Sequence, residues 1–324
     1  FQRTPLLAEL APTPRSIENH VKMMVVDEKY WVVGGTGMAE HLCTAGDKAP
    51  EPQPARIWSQ RVVAKATRDM DVIGKGAAAQ TLALEFFKLW AVFDYRVKGD
   101  PDAPLVNAYK ALSPELPRAE VAVFDTSPDL VHTVACKVIV CGPEHPTNAC
   151  TDAYIERLQG ARRSVRLGQM NVNPGPELRQ ALYNLPESVH CDLITTGVEG
   201  NSPVTNHFFA WTNFRHYQPL LARGAATLYE YDVPGVLYHK KVMTVDERYT
   251  LLGSYNLSQK SDCSDYELLM EIDSRRTTQR VNDVLDRDTK LSREVSPQEV
   301  QERNKLRHRI LAAVQRHLLG SFIV

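Results

Sequence analysis

Apolar and polar positions alternate most cleanly in "ATLYEYD" (Ala226 to Asp232), the period-two pattern of a strand with one buried face. Two longer stretches share another pattern. "HVKMMVVD" followed by "YWVVGG" (His20 to Gly35) and "HKKVMTVD" followed by "YTLLGS" (His239 to Ser254) each read as a β-hairpin, with Asp27 and Asp246 at the turns. In each, a histidine and a lysine stand two residues apart, so on an extended strand they face the same side. Between the two hairpins helical and strand patterns alternate. "TDAYIERLQGA" (Thr151 to Ala161) is helical, with Thr151 or Asp152 as N-cap, and "RSVRLGQMNV" (Arg163 to Val172) is a strand. "GPELRQALYN" (Gly175 to Asn184) is a helix with Pro176 near its start, and "VHCDLITTG" (Val189 to Gly197) is a buried strand. Alternation of this kind argues for an α/β domain.

The hairpins belong to a repeat. "FQRTPLLAEL" at Phe1 and "FRHYQPLLARG" at Phe214 share a Pro-Leu-Leu-Ala turn in a helical context, and each precedes its hairpin. The chain divides into a first-motif half, 1–115, and a second-motif half, 119–324. The first half lacks the helix–strand–helix–strand run that leads into the second hairpin. Repeat units normally share their elements, so a second polypeptide is expected to complete it: an N-terminal fragment of the same precursor, of the order of 100 residues, retained after cleavage. "APEPQPA" (Ala49 to Ala55) reads as a Pro-rich loop. Leu285 to Leu319 reads as charged helical segments.

Composition narrows the picture modestly. The 324 residues are 43% hydrophobic with a net charge of −1. That is globular, and it argues against a dedicated nucleic-acid-binding domain, which usually carries a basic excess. No apolar run is long enough to span a bilayer. The six cysteines form no CxxC pair and no zinc spacing. They leave open whether they are buried thiols or the disulfides of a secreted protein, and with that the compartment.

The repeated pattern is His-x-Lys, four residues, Asp, six residues, Gly: His20, Lys22, Asp27 and Gly34, then His239, Lys241, Asp246 and Gly253. This doubled motif resembles the phospholipase D superfamily, whose members carry two such motifs in one active site. The resemblance runs from about Phe1 to Ile272. It includes "RDMDVIGKGAAAQTLALEFFKLW" after the first motif and "NLSQKSDCSDYELLMEI" after the second. It implies a phospholipase D-like α/β fold, two pseudo-symmetric halves forming one domain with the site at their junction. It implies hydrolysis of phospholipid to phosphatidic acid and free headgroup, with no metal and no cofactor. The alternatives are a nuclease or phosphatidyl-transfer synthase on the same site, and a non-catalytic phosphate-binding scaffold.

The chemistry suits the residue types. A phosphodiester is an anion that resists attack until its charge is neutralised, and Lys22 and Lys241 can bind its non-bridging oxygens. One histidine attacks phosphorus to form a phosphohistidine. The other protonates the leaving oxygen and then activates water or an alcohol. The residues alone do not order the two; the resemblance implies His20 as nucleophile and His239 as acid/base. It also implies that Asp69 orients His20, that Asp265 or Glu267 orients His239, and that Ser254 and Asn256 line the phosphate site. Asp27 and Asp246 complete the catalytic motifs but brace the hairpins more than they touch substrate. Gln169 ends a strand and either lines the pocket or simply closes that strand. Gly37 stands where the family has Asn, which removes one phosphate donor. The rings of Phe208, Phe209, Trp211 and Phe214 suit either transient contact with a membrane surface or the core.

Overall fold

The computed structural model describes residues 19–37, 54–57, 60–63, 66–98, 119–124, 131–143, 147–197, 206–233 and 236–303. Twelve strands in the described residues form one sheet. In chain order they are β1 (Met23–Val26), β2 (Tyr30–Gly34), β3 (Asp71–Gly76), β4 (Ala119–Phe124), β5 (Val131–Cys141), β6 (Ser164–Gln169), β7 (His190–Thr196), β8 (Ala226–Tyr231), β9 (Lys241–Val245), β10 (Tyr249–Gly253), β11 (Glu267–Asp273) and β12 (Ser292–Glu294). Their order across the sheet is β1-β2-β3-β4-β5-β11-β10-β9-β6-β7-β8-β12.

That order carries the pseudo-symmetry. β1, β2 and β3 run outward from β4 as β9, β10 and β11 run outward from β5, with the antiparallel β4–β5 pair at the centre. The second half then continues through β6, β7 and β8, which pair in parallel and follow in turn helices α2 (Ala149–Gly160), α3 (Pro176–Tyr183) and α4 (Asn206–Ala222) in the chain. Within the described residues the first half ends at β1, whose Met24 and Val26 are exposed.

Helices cover both faces. Alternate strand residues divide between two apolar clusters, as the period of two requires. Met243, Leu251 and Leu269 pack with Tyr154, Leu178 and Leu220 of α2, α3 and α4. Their chain neighbours Val242, Leu252 and Leu268 pack on the opposite face with Leu82 of α1 (Ala78–Lys98). Val281 and Leu285 complete that face; they belong to α6 (Arg275–Lys290), which follows the short α5 (Gln259–Cys263).

Both hairpins form where the pattern places them. Their turns put Asp27 and Glu28, and Asp246 and Glu247, at φ of 54, 48, 53 and 56°. This left-handed pair is what a tight primed turn requires, and Asp tolerates it better than most residues. The hairpin strands start later than expected, at Met23 and Lys241, so both histidines sit in the irregular segment just before them. The cap of α2 is Asn148, whose side chain accepts from Thr151 N, rather than Thr151 or Asp152. The stretch expected to close the chain as helix contains β12, paired antiparallel with β8, before α7 (Pro297–Arg303). Pro54 and Ala55, expected in a loop, belong to a short strand, Pro54–Ile57. The helix expected at Phe1 and the side chains of Phe208, Phe209 and Trp211 lie outside the described residues, while Phe214 packs against the core. The five described cysteines, Cys136, Cys141, Cys150, Cys191 and Cys263, are free thiols. No helix among the described residues is long and apolar enough to cross a membrane.

Candidate active site

Two backbone crossings bring the motifs together. Asn19 bridges Tyr266 in parallel, and His20 N donates to Tyr266 O at 3.0 Å. Ala66–Arg68 pairs in parallel with Val236–Tyr238, and His239 N donates to Arg68 O at 2.9 Å. Each motif therefore enters the site alongside the segment that follows the other motif.

This crossing exchanges the carboxylates. His20 Nδ1 lies 3.0 Å from both oxygens of Glu267, and His239 Nδ1 lies 2.5 Å from Asp69 Oδ2. The expected pairing was the reverse, Asp69 with His20 and residue 265 or 267 with His239. The reason is topological: a carboxylate at the head of β3 or β11 emerges beside the strand that crosses into its own half. Glu267, and not Asp265, is the one that reaches the site; Asp265 pairs with Lys260 at 3.6 Å. With Nδ1–H donated to a carboxylate, the tautomer of each ring is fixed and Nε2 is the nitrogen left for chemistry.

Glu267 is completely buried and also accepts from Ser254 Oγ at 2.5 Å and Ser261 Oγ at 2.6 Å. Ser254 therefore spends its one proton on Glu267 instead of lining a phosphate site. Ser261 was missed in the sequence, where a serine inside "SQKSDC" carries no signal of its own. Asp69 sits against Gly35: a Cβ there would meet Asp69 Oδ1 at 2.1 Å. Gly35 occupies the place of Ser254 in the repeat, so the first half makes room for its carboxylate where the second half donates to it.

The lysines are arranged alike. Lys22 Nζ donates to His20 O at 2.8 Å and Lys241 Nζ to His239 O at 2.7 Å. Lys241 Nζ also lies 3.1 Å from His239 Nε2. Burial lowers Lys241 to about 8, with Asp69 opposing and Lys22 adding to the shift. Burial and then the Lys241 ammonium lower His239 to about 4, against the pull of Asp69. Burial pushes Asp69 up, but Lys241 and His239 together outweigh it and hold the carboxylate below its ordinary value. The site thus holds a neutral imidazole, a carboxylate and converging ammonium groups, an arrangement suited to an anionic phosphodiester.

The remaining expected residues fall at the margin or outside. Gln169 pairs in register with Lys241, is fully buried, and donates to Tyr154 Oη at 3.2 Å. It backs Lys241. Asn256 is part-exposed beside the site, its backbone N donating to Ser261 Oγ at 3.3 Å. Asp246 lies at the far end of β9, about 16 Å from Lys241 at the usual strand rise. Its carboxylate accepts from the backbone of Arg162, Arg163 and Ser164 at 2.9, 2.7 and 3.0 Å. Asp27 occupies the matching turn of β1–β2. Neither belongs to the catalytic group, because the hairpin carries each away from its histidine. Among the described residues no cluster of His, Cys, Asp or Glu is arranged to hold a metal ion.

A family model described as cardiolipin synthase, PLD-like domain, matches residues 154–289. Cardiolipin synthase A of Pseudomonas syringae pv. syringae is 27% identical over 181 residues, covering 53% of this chain and 35% of that protein. Cardiolipin synthase 2 of Staphylococcus epidermidis is 23% identical over 296 residues, covering 89% of this chain and 51% of that protein. The chain thus spans about a third to a half of the curated relatives it matches. Among solved structures, phosphatidylserine synthase of Haemophilus influenzae aligns with a TM-score of 0.49 at 16% identity, over 66% of this chain and 54% of that one. The phospholipase D family member Nuc of Salmonella typhimurium aligns with a TM-score of 0.41 at 15% identity, over 49% of this chain and 98% of that one. The matching family model and these relatives support a likeness of this chain to the phospholipase D superfamily. None of these likenesses supports the second chain expected from a cleaved precursor.

Proposed function

We propose that this protein exchanges the alcohol of a phospholipid phosphodiester through a phosphohistidine, passing the phosphatidyl group to an acceptor alcohol. The observation that carries the chemistry is the pair of histidines, each held at Nδ1 by a carboxylate from the opposite half, with a lysine beside each. The choice of transfer over the hydrolysis expected above is supported by the names of the relatives, which are cardiolipin synthases.

The electrostatics favour an order of events opposite to the one the family resemblance implies. An imidazole lowered to about 4 is neutral throughout the neutral range, the form a nucleophile needs. In this reading His239 Nε2 attacks phosphorus, and Lys22 and Lys241 stabilise the charge on the non-bridging oxygens. His20 gives its proton to the departing alkoxide, and Glu267 steadies the ring through that step. His20 then removes the proton of the incoming alcohol, whose oxygen displaces His239 from phosphorus. Atoms and charge balance with no further reagent.

The test is a product assay on mixed phospholipid vesicles with glycerol or ethanol added, run beside single-stranded DNA. Phosphatidyl-alcohol is the expected product. Phosphatidic acid alone would make the protein a hydrolase, and cleavage of DNA with lipid untouched would overturn the lipid reading.

A further inference from the structure

One carboxylate outside both motifs reaches the site from behind. Asp288, near the end of α6, accepts from Arg68 Nε at 3.0 Å and Tyr238 Oη at 3.1 Å, and forms a close ion pair with Lys240 Nζ. Arg68 immediately precedes Asp69. Tyr238 immediately precedes His239, and Lys240 separates His239 from Lys241. The three donors thus flank the His239–Asp69 pair on both of the chain segments that deliver it. Asp288, Lys240 and Tyr238 are completely buried, and burial lowers Lys240 to about 8 against the pull of Asp288.

Burying an ammonium and a carboxylate costs more than their attraction commonly returns, so such a pair is weak evidence of stability and better evidence of a fixed register. Here it fixes the depth of the residue between the two motif side chains. Nothing equivalent stands at that place in the first motif, where the residue between His20 and Lys22 is the apolar Val21. We propose that Asp288 is a positioning residue for His239 and Asp69, locking the two crossing segments to α6 so that the imidazole and its carboxylate meet in one geometry.

The kinetic arm of the test rests on the phosphoryl-transfer reading above; the spectroscopic arm does not. Asp288→Asn preserves shape and removes the charge. Its folding is checked by thermal unfolding, and Lys240→Met combined with Asp288→Leu, which removes both buried charges, replaces it if it fails to fold. In a folded variant kcat is expected to fall between about ten- and a hundredfold, the scale of a small misplacement of reacting groups, with KM changed less than about twofold. The low-field proton resonance of His239 Nδ1–H should move upfield or broaden while that of His20 stays. Wild-type kcat with an unmoved His239 resonance overturns the proposal, as does equal disturbance of both histidine resonances, which would mean general loosening. If the wild-type protein turns over no phosphodiester, the proposed function fails and the resonances alone decide the role of Asp288.

Discussion

Replacing Glu267 by Gln tests the acid step directly. The amide keeps the shape of the side chain and one acceptor for His20, but withdraws the negative charge that faces the ring as it carries its proton. His20 Nδ1 stands 3.0 Å from each carboxylate oxygen, so the charge centres of the imidazolium and the carboxylate are about 4 Å apart. At an effective dielectric of about 20 that separation is worth about 4 kcal/mol. The remaining neutral hydrogen bond returns about 1 kcal/mol. The net loss of about 3 kcal/mol corresponds to more than a hundredfold in rate. The hydroxyls of Ser254 and Ser261 can rotate to accept from the new amide, so the buried site need not unfold. The assay compares two substrates, one with an alkyl leaving group and one with p-nitrophenolate, which departs without help from an acid. If His20 is the acid, the alkyl substrate loses the full hundredfold, while first-turnover release of p-nitrophenolate, which precedes the base step, loses little. Equal losses on both would refute the role given to His20, and with it the reasoning from the neutral state of His239.

Three further outcomes follow from the same geometry. Brief reaction, quenching and peptide mass analysis should find the phosphoryl adduct on the His239 peptide; an adduct confined to His20 would restore the order the family resemblance implies. Rate against pH should hold down to about pH 5 and fall as His239 gains its proton near 4, so an acid limb near 6.5 in its place would contradict the depressed imidazole. Gly35→Ala should push Asp69 away from His239, since the new Cβ would meet its carboxylate oxygen at 2.1 Å, and cut kcat by tenfold or more; an unaffected kcat would show that Asp69 has room to spare.

The motif residues were legible because their spacing occurs twice, and a repeat at fixed spacing carries information that a single histidine does not. The hairpins were legible for a local reason: alternating apolar residues around an Asp–Glu pair that accepts left-handed backbone. What failed was everything that depends on which segment crosses which. The resemblance implies that Asp69 orients His20, yet the parallel pairing of Ala66–Arg68 with Val236–Tyr238 places it on His239. Nothing in the residues around Asp69 encodes that pairing. Ser254 was placed on phosphate although a fully buried carboxylate beside it claims its proton. Lys240 and Asp288 lie 48 residues apart in the chain and meet only once α6 folds back across the sheet.

The crossed carboxylates make the two halves hostages to one another. Neither half holds a complete histidine–carboxylate pair, so a half expressed alone would present an imidazole with no acceptor for Nδ1–H and a carboxylate with no ring to steady. The smallest assembly that could rebuild the arrangement from one half is that half facing a second copy of itself. In the joined chain, damage at Asp69 is felt at the motif that begins near residue 239, and damage at Glu267 at the motif that begins near residue 20. Any attempt to redesign one motif for a new substrate must therefore be carried out on both sides of the junction at once.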